Sequence, residues 1–226
     1  MKYSKLIEGI FLSRPNRFIA HVMIGGKEEI CHVKNTGRLG ELLIQGVEVL
    51  LEPSDNPDRK TKFSLICVKK GEQWVNIDSQ VVNQLAEEWI FSGKLFADVR
   101  YLKREKTFGK SRFDFYVETE LEKWYIEAKG VTLEKDGIAL FPDAPTERGV
   151  KHVRELIDCV KAGYHAGILF VIQMKGIQCF KPNASRHLEF ARALADAEAA
   201  GVKIMAVDCL VDHEGISIDQ RIDIKL

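Results

Sequence analysis

The 226-residue chain has no excess of charge of either sign: 33 lysines and arginines are matched by 33 aspartates and glutamates. That balance excludes a globally basic nucleic-acid binder, so a polyanion has to be held by a local patch. Long apolar runs are also missing. The most apolar segment, AGILFVIQM (Ala166–Met174), is far too short for a membrane span. The N-terminal stretch MKYSKLIEGIFLSRPNRF is broken by Glu8, Arg14 and Arg17, so it is not expected to act as a signal peptide. The expectation is a soluble, cytoplasmic protein. The five cysteines (Cys31, Cys67, Cys159, Cys179, Cys209) are odd in number and form no C-x-x-C pair, so they predict buried free thiols rather than a disulfide framework. No Cys/His spacing suits zinc, and G-x-S-x-G, H-E-x-x-H, internal repeats and low-complexity tracts are all absent. FGKS (Phe108–Ser111) has the tail of a P-loop, but Arg104 stands where the loop needs glycine. The aromatics are too scattered to propose a single-strand stacking platform.

What is present is a globular composition, 46% hydrophobic and 29% charged, in two styles of pattern. Up to Ile77 the chain reads as strands. RFIAHVMI and KEEICHV flank Gly25-Gly26, a primed-turn signal, and GVEVLLE and KFSLICVKK come next, separated by the turn-rich PSDNPDRKT. The spacing predicts a short helix over RLGELL (Arg38–Leu43). Five or so short strands and one small helix suit a closed OB-like barrel.

After Asp78 the period lengthens. In SQVVNQLAEEWIFSGK, Val82, Leu85, Trp89 and Ile90 share a helical face. Two strands come after it, RFDFYV and KWYIEAK. Next are a helix over TERGVKHVRELIDCVKAG, the buried strand AGILFVIQM, a helix predicted to be capped by Ser185, and a last buried strand, VKIMAVDCLV. That alternation predicts an α/β layer with a central mixed sheet flanked by helices. The expected division is residues 1–78 and 79–226.

Charge inside strand-like sequence draws attention to RFDFYVETELEKWYIEAKG (Arg112–Gly130). Alternation puts Phe113, Phe115 and Val117 on one face with Asp114 opposite, and Tyr125, Glu127 and Lys129 together on the second strand. If the strands pair antiparallel, Asp114 lies beside Glu127. Two close carboxylates repel unless one is protonated or a cation neutralises them. A hard divalent ion with oxygen ligands does so, and a neighbouring lysine then orients water or stabilises charge on a phosphate. A solvated hairpin face gives the same pattern, and [DE]-x-K recurs at Asp58–Lys60 and Asp223–Lys225. Two basic groups stand beside this candidate. Arg148, Lys151 and Arg154 recur at spacing three along one helix, with Glu155 four after Lys151; they suit either a phosphate grip or a wet helix face. Lys34 and Arg38 flank Asn35-Thr36-Gly37 at a strand end, as an anion loop or as a simple turn.

Seven blocks in order, RFIAHV, CHVKNTGRL, SDNPDRKTKFSL, SRFDF, YIEAKGVTL, FPDAPTERGVKHVREL and GVKIMAV, resemble the sugar fermentation stimulation protein A family over nearly the whole chain. The resemblance implies an OB-like barrel followed by a PD-(D/E)xK nuclease-like domain, in proteins described as non-specific DNA binders with a suggested role in regulating sugar (maltose) metabolism. By position, Asp114, Glu127 and Lys129 match the catalytic motif, with Asp114, Glu127 and the carbonyl of Ala128 as ligands of Mg²⁺ or Mn²⁺. Glu87 or Glu88 would match an acidic residue on the preceding helix. Expected DNA contacts are Arg17, Lys34, Asn35, Arg38, Arg148, Lys151 and His152. The open readings are a metal-dependent nuclease, a non-catalytic DNA-binding regulator, and a metal-dependent hydrolase of a small phosphorylated molecule. The oligomeric state is open, and a homodimer is compatible with the sequence.

Overall fold

The computed structural model describes residues 1–226. The N-terminal strands are β1 (Ile7–Asn16), β2 (Ile19–Ile24), β3 (Lys27–Val33), β4 (Glu48–Pro53), β5 (Phe63–Lys70) and β6 (Gln73–Asn76). They form one sheet in the order β3-β2-β1-β4-β5-β6, and a parallel β3–β5 pairing (Cys31↔Phe63, Val33↔Leu65) closes five of them into a barrel. β1 went unread in the sequence because Glu8, Ser13 and Arg14 interrupt its apolar alternation; Gly9 and Phe11 still point inward. RLGELL is not a helix. Leu39 takes a left-handed φ of 52°, and Leu39 and Leu42 are buried as a plug against the barrel core. Six residues with a glycine among them do not nucleate a helix, and burial of two leucines decides their path.

β4 and β5 are buried on both faces. Leu51 and Leu65 point into the barrel, while Leu50, Ile66 and Cys67 pack outward against the next domain. This explains why VLL and SLICV read as continuous apolar runs rather than alternating ones. The barrel is thereby fixed to the second domain. Polar groups lock the same junction: Gln173 donates to the Oδ1 of Asn76 (3.0 Å) and the carbonyl of Asp78 (2.9 Å), and Asn76 donates to the Tyr3 hydroxyl.

The second domain comprises α1 (Val81–Phe91), β7 (Tyr101–Phe108), β8 (Ser111–Glu118), β9 (Lys123–Val131), β10 (Leu133–Lys135), β11 (Ile138–Phe141), α2 (Glu147–Lys161), β12 (His165–Ile172), β13 (Cys179–Pro182), α3 (Leu188–Ala199), β14 (Lys203–Val211), β15 (Ile216–Arg221) and β16 (Asp223–Ile224). The central sheet runs β15-β14-β12-β9-β8-β7, with β9, β12 and β14 parallel and the rest antiparallel. α1 covers one face through Leu85 and Trp89, against Phe115, Ile126 and Leu169. α2 and α3 cover the other through Val153, Leu156, Phe190 and Leu194, against Ile168 and Phe170. A small sheet, β10-β11-β13-β16, lies apart. The expected architecture, an OB-like barrel followed by a domain with a mixed central sheet between helices, is the one found. All five cysteines are buried and free. No helix is long and apolar enough to cross a membrane.

One local reading changes, and one strand joins those read from the sequence. α3 starts at Leu188 with His187 at its cap; Ser185 instead donates to the side chain of Asn183 and so is spent on the preceding turn. β7, which is highly charged (Lys103, Arg104, Lys106), is an edge strand, where such residues block further pairing.

Candidate functional site

Strand alternation fails where it matters most. Phe115 and Val117 face α1, but Phe113 lies on the opposite side, against Tyr125 and the ring of His152. The β7–β8 register runs Arg104↔Phe115 and Lys106↔Phe113 and omits the pair between, where Glu105 has a left-handed φ of 54°. The strand therefore turns over at Asp114. The β8–β9 ladder also ends at Phe115↔Ile126. Asp114 occupies the opening this leaves, and its carboxylate accepts from the Ala128 N–H (2.9 Å) and the Asn83 side-chain amide (2.9 Å).

Glu127 sits beside it on β9, with its side chain 3% exposed. Its Oε1 is shared by the Lys129 ammonium (2.5 Å) and Nδ1 of His152 (2.5 Å). Arg148 donates from Nε to His152 Nε2 (3.4 Å), which leaves Nδ1 as the protonated nitrogen facing Glu127. Glu127 Oε2 is buried without a partner. A buried, unpaired carboxylate oxygen is costly, and here it is next to a second carboxylate.

The two carboxyls are driven apart. Burial and then the charge of Glu127 push Asp114 above the ordinary carboxylate range, against the pull of the Ala128 N–H, Asn83 and Lys129. Burial also pushes Glu127 up, but the bond from His152 and the charge and bond of Lys129 outweigh it and hold Glu127 low. Opposite shifts in neighbouring acids are a mark of functional sites.

Ala128, Lys129, Gly130 and Asn83 form one wall of a cleft of about 800 Å³ between the domains, whose barrel side carries Arg17, Asn35, Gly37 and Arg38. Gly130 is closely packed: a Cβ there would lie 2.6 Å from Gln173 Oε1 and 2.7 Å from Val82, so a larger residue forces those side chains to shift. The expected contact residues divide. Arg17 and Arg38 are exposed in the cleft, whereas Asn35 spends its side chain on the Ile77 carbonyl and the Gly37 N–H. Lys34 lies outside the cleft, held between Asp78 (3.1 Å) and Glu52 (3.5 Å). Lys151 is outside it too, bound to the Lys110 carbonyl and near Glu155. Arg148 and His152 serve Glu127 from behind. Neither candidate glutamate of α1 reaches Asp114: Glu88 binds the N-terminal ammonium and Glu87 pairs with Arg104. α1 contributes Asn83 instead, one turn before Glu87.

A family model described as the sugar fermentation stimulation protein RE domain matches residues 80–215, and one described as the SfsA N-terminal OB domain matches residues 12–77. The chain belongs to the sugar fermentation stimulation protein A family. Among its relatives in that family, the sugar fermentation stimulation protein homolog of Clostridium beijerinckii is 57% identical over the full length of both chains, and that of Ruminiclostridium cellulolyticum is 54% identical over the same span. The solved structure of Pyrococcus furiosus SfsA in complex with Ca²⁺ is 30% identical, covers 100% of this chain and 98% of its own, and superposes with a TM-score of 0.89.

Sequence reasoning missed three residues of the candidate site in this SfsA-family chain. Asn83 flanks the apolar stripe of α1 as Glu87 does, four residues on, so the helical period held the signal without ranking it. Arg14 donates to the carbonyls of Arg17, Asn35, Gly37 and Arg38 and ties the two barrel loops of the cleft together. Arg104, on the cleft wall, drew notice only as a P-loop departure. A separate cluster, Glu147, His187 and Glu189, converges at the starts of α2 and α3. There His187 Nδ1 accepts from the Thr146 N–H, which places its proton on Nε2 toward Glu147, and Arg154 takes Glu189. That arrangement is already satisfied internally.

Proposed function

We propose that the chain is a nucleic-acid-binding phosphodiesterase, in which residues 1–78 supply grip on DNA and residues 79–226 supply a nuclease site requiring Mg²⁺ or Mn²⁺. The observation that carries this reading is the partnerless, buried Oε2 of Glu127 beside Asp114. An all-oxygen set of two carboxylates and the Ala128 carbonyl suits a hard divalent cation, and Ca²⁺, another such ion, is held by the Pyrococcus furiosus relative. When bound, the ion supplies Lewis-acid polarisation of a phosphoryl oxygen and neutralises the two carboxylates.

The remaining work falls to the chain's own groups. Asn83 and the Ala128 N–H hold Asp114 in one orientation. His152, backed by Arg148, fixes Glu127 Oε1 and leaves Oε2 as the oxygen free for a ligand. Lys129 stands on the cleft wall, where its ammonium meets charge developing on the phosphate. Arg17 and Arg38 meet the backbone across the cleft, a contact without sequence information, as non-specific binding requires. The test is incubation of the purified protein with plasmid and short DNA and RNA substrates, with and without Mg²⁺ or Mn²⁺. Metal-dependent cleavage that is lost in Glu127→Ala and Lys129→Ala upholds the enzyme. Binding without cleavage, unchanged by either substitution, overturns it in favour of a non-catalytic DNA-binding regulator.

A further inference from the structure

The cleft itself narrows the substrate class. Its volume is about 800 Å³. Its walls do not stand free. The barrel packs on the α1 layer through Leu50 and Ile66, and Gln173 joins the two domains by buried hydrogen bonds. The barrel loop meets the loop before α2 so closely that a Cβ on Gly37 would lie 2.8 Å from the Asp143 carboxylate. A space of that size between fixed walls suits one strand better than a continuous duplex. The lining also separates a strand from a small ligand. Small-molecule pockets are mostly apolar, whereas 7 of the 24 residues here are hydrophobic and the cations come from both domains, as a run of phosphates demands.

At the barrel rim the two-residue turn between β1 and β2 is Arg17-Phe18. Phe18 is 55% exposed, yet its backbone is rigid: its N–H and that of Ile19 donate to Asn16 Oδ1, and its carbonyl accepts from Val33. Arg14 binds this turn to the Asn35–Arg38 loop. An aromatic ring is thus presented to solvent in a fixed turn beside Arg17, which lines the cleft. Ordered aromatics next to a cationic groove are how proteins hold unpaired bases.

We infer that the site takes single-stranded polynucleotide, with a base stacked on Phe18 at the barrel rim and the adjoining backbone running past Arg17 and Arg38 to Lys129. This names the substrate of the site proposed above and rests on that reading only for where the strand leads. It is tested by binding alone. The full chain in chelator is titrated into labelled oligonucleotides about a dozen nucleotides long: single-stranded DNA, single-stranded RNA and a blunt DNA duplex of equal length, by fluorescence anisotropy. At least one single strand binds about tenfold or more tightly than the duplex. Phe18→Ala weakens that strand about tenfold and leaves the duplex unmoved, and Phe18→Trp retains it. Duplex binding equal to or tighter than both strands, or a Phe18→Ala effect that is absent or equal on strand and duplex, overturns the inference. Phe18 is a surface residue, and an unchanged melting temperature certifies the fold. A protein that prefers single strands but cuts nothing with Mg²⁺ upholds this inference and sinks the nuclease; one that cuts duplex without strand preference does the reverse.

Discussion

Two of the three stretches that carry the same tripeptide pattern, an acid and a lysine one residue apart, lie in opposite surroundings. Glu127-Ala128-Lys129 lies on β9, the middle of the central sheet, between β8 and β12, with helices over both faces. Asp223-Ile224-Lys225 lies at β16, the edge of the small sheet, paired only to β13, with both charged side chains exposed and without polar partners in the chain. In the first, burial forces every oxygen and nitrogen to be accounted for, and the accounting leaves one carboxylate oxygen over. In the second, water satisfies both groups and their spacing has no consequence. The tripeptide is therefore no motif by itself. Its setting comes from Asp114 and His152, which reach it from β8 and α2, and from Asn83 of α1, which holds Asp114.

The sharpest way to break this comparison is to cut both copies. Glu127→Ala or Lys129→Ala should lower metal-dependent cleavage by at least about 100-fold, while Asp223→Ala and Lys225→Ala leave it within about twofold. A comparable loss at both places, in a plasmid-nicking assay, would return the pattern to coincidence. The next largest effect tests whether the helix behind Glu127 matters. His152→Ala removes the group that fixes Oε1 and should weaken Mn²⁺ binding, measured calorimetrically, by about 10- to 100-fold. His152→Asn keeps a donor near Oε1 and should recover part of the loss. Affinity unchanged in both variants would reduce His152 to a core residue. Third, packing can be perturbed without touching a charge. Gly130→Ala pushes a methyl into Gln173 and Val82 and should cost about 1–3 kcal/mol, or roughly 2–4 °C of melting temperature per kcal/mol in a chain of this size.

Much of this was legible in the sequence, and the failures share a cause. The barrel, the mixed sheet and the Glu127/Lys129 face come from alternation and turn signals, which are local. Alternation puts Phe113 on the wrong face because it presumes an unbroken ladder, and the ladder breaks where Glu105 turns left-handed opposite Asp114. Lys34 looks like a free cation because Glu52 and Asp78, which occupy it, are distant along the chain. Arg14 looks like surface charge, and only the folded loops bring four carbonyls to one guanidinium. A period tells which face a side chain takes and is silent about what waits there. That is why it offers Glu87 and Glu88 equally, when the α1 residue that reaches Asp114 is Asn83.

The smallest effect bears on what the site costs. Asp114 has a folded pKa above its unfolded value, because burial and Glu127 disfavour its charge. Its ionised form therefore destabilises the fold, and that loss is recovered as pH falls through the folded pKa. Glu127 has the opposite sign. Its folded pKa is depressed, so its contribution is present above the unfolded value and disappears as pH falls through the folded one. Asp114→Asn keeps an acceptor for the Ala128 N–H and removes the disfavoured charge, so in chelator near neutral pH it should raise the melting temperature by roughly 1–3 °C while abolishing cleavage. The gap should close as the buffer is acidified, since the wild-type carboxyl then becomes neutral as well. No comparable gain is expected from Asp223→Asn, whose charge is already in water. A melting temperature that falls in Asp114→Asn at neutral pH would mean that its carboxylate is a net support of β8 and β9, and the contrast between a strained central site and a relaxed edge would not hold.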